Sequence, residues 1–187
     1  LALGNAYLVC GKDSLSRAEL TFQTANNAFP KNARVSVALG DLYFSREIYE
    51  LAETKYAEAL TIDPQLIEPR IRLARANRAL ARQQATLEES QPYYRKALFE
   101  FNQVTIRAPH EPLPWREQGE ILLLAEEWEN ALKSFERYRQ LRPDDPRADT
   151  LLASAAIKGN FYQYAIDPLQ RILSRNDSIS ARFHSRA

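Results

Sequence analysis

Four arginines, Arg72, Arg75, Arg78 and Arg82, follow one another at three, three and four residues. On a helix that spacing puts them on one stripe, opposite the face that carries Leu73, Ala76 and Leu80. A guanidinium offers a rigid fork of donors that grips carboxylates bidentately, so the stripe suits an acidic peptide or a chain terminus. Little else in the chain points to chemistry. His110 and His184 lie in a proline turn and in the tail, and neither has a Cys or a second His at ligand spacing, which argues against a zinc site. The glycines are scattered singly, so there is no phosphate-cradling loop, and Ser, His and Asp form no nucleophile motif. Glu126, Glu127 and Glu129 cluster, but they read as a solvated charged turn. No catalytic residue, metal or cofactor is assigned, and the chain is expected to be no enzyme.

Bulk properties narrow the class further. An apolar content of 45% is ample for burial, yet the mean hydropathy is −0.46, a combination that fits amphipathic helices. A membrane span needs about 20 consecutive apolar residues, and no segment approaches this. The net charge of +1 creates no global field for nucleic acid. The single cysteine, Cys10, cannot close an internal disulfide and leaves the redox compartment open. The opening Leu-Ala-Leu-Gly does not read as a signal peptide. The chain contains no Met and reads as an excised piece of a longer protein, so localisation and oligomeric state stay unassigned.

The elements that must position the arginines come from a repeat. Pro30, Pro64, Pro109 and Pro143 stand 34, 45 and 34 residues apart. Small and aromatic residues recur ahead of each: Leu3, Gly4, Tyr7, Ala18, Phe22 and Ala25 in the first copy, Leu39, Gly40, Tyr43, Ala52, Tyr56 and Ala59 in the second. Leu73, Ala74, Ala97, Phe101 and Val104 follow in the third, then Trp115, Gly119, Leu122, Ala131 and Phe135 in the fourth. A fifth, degenerate copy has Ala153, Ala156, Ala165, Leu169 and Ile172, with Asp177 where a proline is due. The pattern resembles the tetratricopeptide repeat (TPR), W-x2-L-G-x2-Y, then A-x3-F, then P. It spans nearly the whole chain, at approximately 1–30, 31–64, 65–109, 110–143 and 144–177, with 178–187 as the start of a sixth copy or a capping helix. The resemblance implies an all-α solenoid of about five helix-turn-helix repeats wound into a right-handed superhelix.

Local signals agree with that reading. Helices are expected from about Ala33 to Phe44, capped by Asn32, and from about Ile48 to Leu60. Pro112 and Pro146 suit first helical turns, with Asp145 as a cap. Gly11, Lys12, Asp13 and Ser14 form a turn cluster in the first copy. Ala74 to Ala97 exceeds the spacing from Gly40 to Ala52 by 11 residues, and the added run is rich in helix formers. The third repeat should therefore have lengthened helices, its return helix capped by Ser90 with Pro92 in the first turn.

In TPR proteins the first helices line a concave groove, so the resemblance implies which residues face a partner. Two residues before the small position stand Ala2, Ala38, Arg72, Glu117 and Leu151; just after it stand Asn5, Asp41, Arg75, Glu120 and Ser154; four after it stand Leu8, Phe44, Arg78, Leu123 and Ile157. The candidate partner-binding residues are Asp41, Phe44, Arg72, Arg75, Arg78, Arg82, Glu117, Glu120 and Leu123. Two alternatives stay open: Glu117 and Glu120 pair internally with Arg72 and Arg75, and Phe44 packs on the next first helix. Trp115 and Trp128 are expected in the core. Some TPR domains hold chaperone C-termini with a lysine, asparagine and arginine clamp. Here Asn5 and Arg72 match, but Leu1, Ala38 and Glu68 take the other three places, which disfavours that ligand. The expected function is a non-catalytic scaffold that binds a protein or peptide partner, with an acidic segment suited to the stripe. The competing expectation is a regulatory or targeting segment of a larger enzyme.

Overall fold

The computed structural model describes residues 1–9 and 14–184, and the side chains of these except 5, 7–9 and 176–184. Cys10 and the turn residues 11–13 lie outside the described residues, as do the side chains of Asn5, Tyr7, Leu8 and His184. Among the described residues there is no strand. The chain divides into two compact units, Leu1–Val104 and Thr105–Ala187.

The first unit contains α1 (Ala2–Val9), α2 (Leu15–Ala28), α3 (Ala33–Ser45), α4 (Tyr49–Ile62), α5 (Ile67–Gln83) and most of α6 (Leu87–Arg107). The small register positions are small because aromatic rings occupy the space beside them. A Cβ on Gly40 would collide with the Tyr56 ring of the return helix, and one on Gly4 with Phe22. Ala52 and Ala59 are fully buried on the other side of that contact. Phe22, Val35, Leu39 and Leu42 join α2 to α3, and Tyr56, Leu73 and Ala76 join α4 to α5. Consecutive helices thus share one apolar seam, which is how a repeat array builds a core from neighbours alone.

Helix ends follow from local chemistry. Asn32 accepts a hydrogen bond from the Arg34 amide at 3.0 Å, as its type and place predict. After α4 the Asp63 side chain accepts from the Gln65 amide at 3.0 Å, and Pro64 prevents the helix from continuing. Glu47 joins α3 to α4 with φ 62°, and the Ile48 amide reaches back to the Tyr43 carbonyl at 2.9 Å. This closing geometry usually falls to glycine, because a Cβ is strained at positive φ.

The third repeat is longer, as the residue spacing implies. Its helices have 17 and 21 residues, against 13 and 14 for α3 and α4. Aligned on the small residue, the added turns fall at the end of α5 and the start of α6. Leu80, Ala81 and Ser90 are buried there. The start of α6 corrects the expected cap. Thr86 and Glu89 form a reciprocal pair: the Glu89 amide donates to Thr86 Oγ1, and the Thr86 amide to Glu89 Oε2, both at 3.2 Å. This capping box starts the helix earlier than Ser90, whose hydroxyl instead donates to the Leu87 carbonyl at 2.8 Å. Pro92 consequently lies inside α6. Its missing N–H leaves the Glu88 carbonyl without its helical donor.

The second unit contains α7 (Pro112–Leu124), α8 (Trp128–Leu141), α9 (Pro146–Lys158), a 3₁₀ turn (Tyr162–Tyr164) and α10 (Ile166–His184). Pro112 and Pro146 open their helices, and Asp145 caps α9 by accepting from the Arg147 amide at 2.9 Å. Gly119 lies against Phe135 as Gly40 lies against Tyr56. Trp115 and Trp128 are half-buried rather than enclosed, and Trp115 Nε1 donates to the Pro109 carbonyl at 3.1 Å. Where Asp177 replaces the closing proline, nothing interrupts the helix. α10 continues from Ile166 to His184, so residues 178–184 extend it and open no new element.

Candidate functional site

The third repeat's arginine stripe divides in two. Arg72 sits early in α5 and is ion-paired with Asp41 of the preceding repeat and with Glu68 one turn back, the latter at 3.0 Å. Asp41 also accepts a hydrogen bond from the Tyr56 hydroxyl at 2.8 Å. Burial, reinforced by the neighbouring Asp41 charge, holds the Tyr56 hydroxyl well above its ordinary pKa. For Arg72, burial pulls the guanidinium down, but Asp41 and Glu68 outweigh it and raise the pKa. Asp41 and Arg72, two of the residues expected to meet a partner, are thus engaged with each other.

The remaining arginines come together further along. Arg75, Arg78 and Arg82 line a pocket of about 330 Å³ with Phe44, Glu47 and Tyr49. Phe44 is the penultimate residue of α3, Glu47 is the positive-φ turn residue, and Tyr49 opens α4. The Phe44 and Tyr49 rings meet edge to face with centroids 5.1 Å apart. Phe44 also packs against the Tyr56, Leu73 and Ala76 seam, so it contacts the next first helix and forms a pocket wall at once. Arg82 is exposed and lies in the part of α5 that exceeds the length of α3. Arg75 and Arg78 are half-buried, and each already makes an interaction within the molecule. A cationic wall facing two aromatic edges can hold a carboxylate beside an apolar group.

The other candidates lie in the second unit. Glu117 is 3% exposed on α7, and Glu120 is half-buried with Arg116 Nε at 3.4 Å. Both also make further interactions. With Arg116, Arg147, Thr150 and Leu151, Glu120 lines a recess of about 410 Å³. Leu123 is half-buried on the same helix.

Two sets of residues were not found from sequence. Tyr49 and Glu47 escaped because they belong to the turn and the return helix, outside the groove register. The position four before the small residue, occupied by Trp115 in the fourth repeat, carries Ser36, Arg70 and Asp149 elsewhere. Each reaches the return helix of its own repeat: Ser36 Oγ donates to Glu58 at 3.1 Å, Arg70 pairs with Glu100 at 2.8 Å, and Asp149 pairs with Arg175 at 2.9 Å. Asp149 is 1% exposed and has Arg139 at 3.8 Å on its other side. Arg139 in turn holds Asp167 at 2.7 Å, and with Arg171 it keeps that carboxyl below its usual pKa. Polar residues at an apolar register were the available signal.

No helix among the described residues is long and apolar enough to cross a membrane, and no group of three or more metal-ligating side chains gathers among them. No curated protein matches the chain by sequence. Solved structures share its fold. MamA residues 41 to the end from Desulfovibrio magneticus RS-1 align with a TM-score of 0.79 at 14% identity, covering 95% of this chain and 93% of that one. TTC0263, a thermophilic TPR protein of Thermus thermophilus, aligns with a TM-score of 0.66 at 19% identity, covering 99% and 95%. The tetratricopeptide repeat family model matches residues 1–67, 73–146 and 117–181. With the Gly40–Tyr56 and Gly119–Phe135 contacts in place, the chain belongs to the tetratricopeptide repeat family.

Proposed function

We propose that the protein is a non-catalytic interaction scaffold whose arginine-lined pocket takes an acidic segment of a partner protein. TPR arrays typically serve protein–protein interaction, and this reading adds the place and the chemistry. The observation that carries it is the convergence of Arg75, Arg78 and Arg82 with Phe44 and Tyr49 around about 330 Å³. Carboxylates of the partner meet the guanidinium forks, and an adjacent apolar group lies against the two rings. Rigid helices present the surface preformed, which lowers the ordering cost of binding. The Asp41–Arg72 pair lines a separate recess with Arg34 and Glu68, and its two charges are engaged with each other.

The test is a titration of the isotopically labelled chain with a short glutamate-rich peptide, followed by NMR. Saturable shifts should cluster at Phe44, Tyr49, Ala79 and Arg82, and a lysine-rich peptide of equal length should leave them unmoved. Shifts centred on α7 or α9 instead would relocate the site and sink this reading.

A further inference from the structure

The second unit holds a recess of about 510 Å³, walled by α8, the start of α10 and the 3₁₀ turn before it. The recess follows from a late start of the fifth repeat's return helix. After the positive-φ residue Glu47, α4 begins at Tyr49; after its counterpart Asn160, α10 begins only at Ile166. Pro168 accounts for the delay, because it has no N–H to offer the Tyr164 carbonyl. The turn closes on tighter bonds instead: the Tyr164 amide donates to the Phe161 carbonyl at 2.9 Å, and the Ala165 amide to Tyr162 at 3.0 Å. Phe161 and Tyr164 both line the recess, and their rings meet edge to face with centroids 6.5 Å apart. Gly159 makes room for the first ring, since a Cβ there would collide with it. Leu132, Leu152 and Pro168 are buried and supply the apolar floor. Five charged side chains complete the lining. Lys133 pairs with Glu129 at 3.0 Å, and Arg139 with Asp167 at 2.7 Å and with the buried Asp149 at 3.8 Å. Glu136 is exposed and makes no ion pair or hydrogen bond among the described residues.

We propose that this recess is a second recognition site, which takes an arginine side chain of a partner protein. The floor calls for a long apolar stem, and the one unmet charge of the lining, on Glu136, calls for a cationic head. A guanidinium is planar and weakly hydrated, so it stacks on a ring while its edge forks a carboxylate. Phe161 and Tyr164 offer the rings, and Glu136 offers the carboxylate. An ammonium is a compact, strongly hydrated charge and gives up more water for the same place. An anionic occupant does not fit, because Lys133 and Arg139 are already committed to carboxylates of this unit. Nearly all of the lining comes from the return helices α8 and α10 and the turn, with only Leu152 from a first helix. The site therefore uses a different face of the repeat from the arginine pocket, selects the opposite charge and does not depend on that pocket.

The experiment titrates the labelled chain with N-acetyl-argininamide and, separately, with its citrulline analogue, which keeps the shape and loses the charge. The expected result is saturable NMR shifts at Leu132, Phe161, Tyr164 and the Gln163 side-chain amide. The citrulline compound should bind roughly 3–10-fold more weakly, the range set by one exposed charge contact and one cation–ring contact. The lysine analogue should also bind more weakly than the arginine compound. Glu136→Gln should bring the arginine and citrulline affinities together and leave the melting temperature unchanged, because Glu136 has no partner to lose. Equal affinity of the arginine and citrulline compounds for the wild-type chain overturns the proposal, a comparison that needs no variant to fold. Tighter binding of the lysine compound, shifts confined to other elements, or no saturable shift overturn it as well.

Discussion

The second and third repeats perform the same packing task with different materials. In the second, a glycine meets a tyrosine, Ser36 makes a single hydrogen bond to its return helix, and the pair ends after 13 and 14 residues. In the third, Ala74 replaces the glycine, an enclosed Arg70–Glu100 pair replaces the serine contact, and both helices are extended. The contrast teaches that the shared register keeps the fold, while departures from it carry what is particular to this chain. Arg82 lies in the added part of α5, and the pocket that holds it needs that part to reach past the α3–α4 turn.

The largest expected effect separates the two versions of one position. Arg70→Ala strands a mostly buried Glu100 and should destabilise the chain by about 3–5 kcal/mol. Ser36→Ala removes one hydrogen bond and should cost about 1 kcal/mol. Denaturant melts that give equal losses would erase the distinction. The next effect probes the shared packing. Ala52 is fully buried against α3, so Ala52→Leu should cost about 1–3 kcal/mol through overpacking. A neutral result by the same melts would mean that the close helix contact is misplaced.

Smaller effects sharpen the comparison at the helix ends. If the added turns are an integral part of the third repeat, amides in 80–83 and 90–93 should exchange slowly, because Leu80, Ala81 and Ser90 are buried there. Exchange at loop rates across both stretches would show that the extension is an appendage. The smallest change is a gain. Glu47 sits at φ 62°, so Glu47→Gly relieves backbone strain and should raise stability by about 0.5–1 kcal/mol, seen as a higher melting temperature. A lower melting temperature would point to a stabilising role for the carboxylate beside the arginines.

Much of this architecture was legible in the sequence because it depends on size at a fixed spacing. Gly40, Ala52 and Tyr56 announced a close helix contact, and the 11-residue excess announced longer helices. The cap of α6 was misread because Ser90 ahead of Pro92 imitates a helix start, whereas Thr86 and Glu89 satisfy two backbone donors at once. The stripe itself was visible, but not its division. Spacing along one helix says nothing about Asp41 arriving from the preceding repeat to engage Arg72.

The central claim is that the third repeat's pocket, and not the fold alone, recognises an acidic partner segment. The most direct test compares the wild-type chain and Arg82→Glu for binding a fluorescent hexaglutamate peptide by anisotropy, with melting curves run in parallel. Arg82 is exposed, so its replacement should change stability by no more than about 0.5 kcal/mol. Binding should fall by about 1–3 kcal/mol, the loss expected when a charge-assisted contact is reversed. Unchanged affinity in a variant that melts normally would contradict the account.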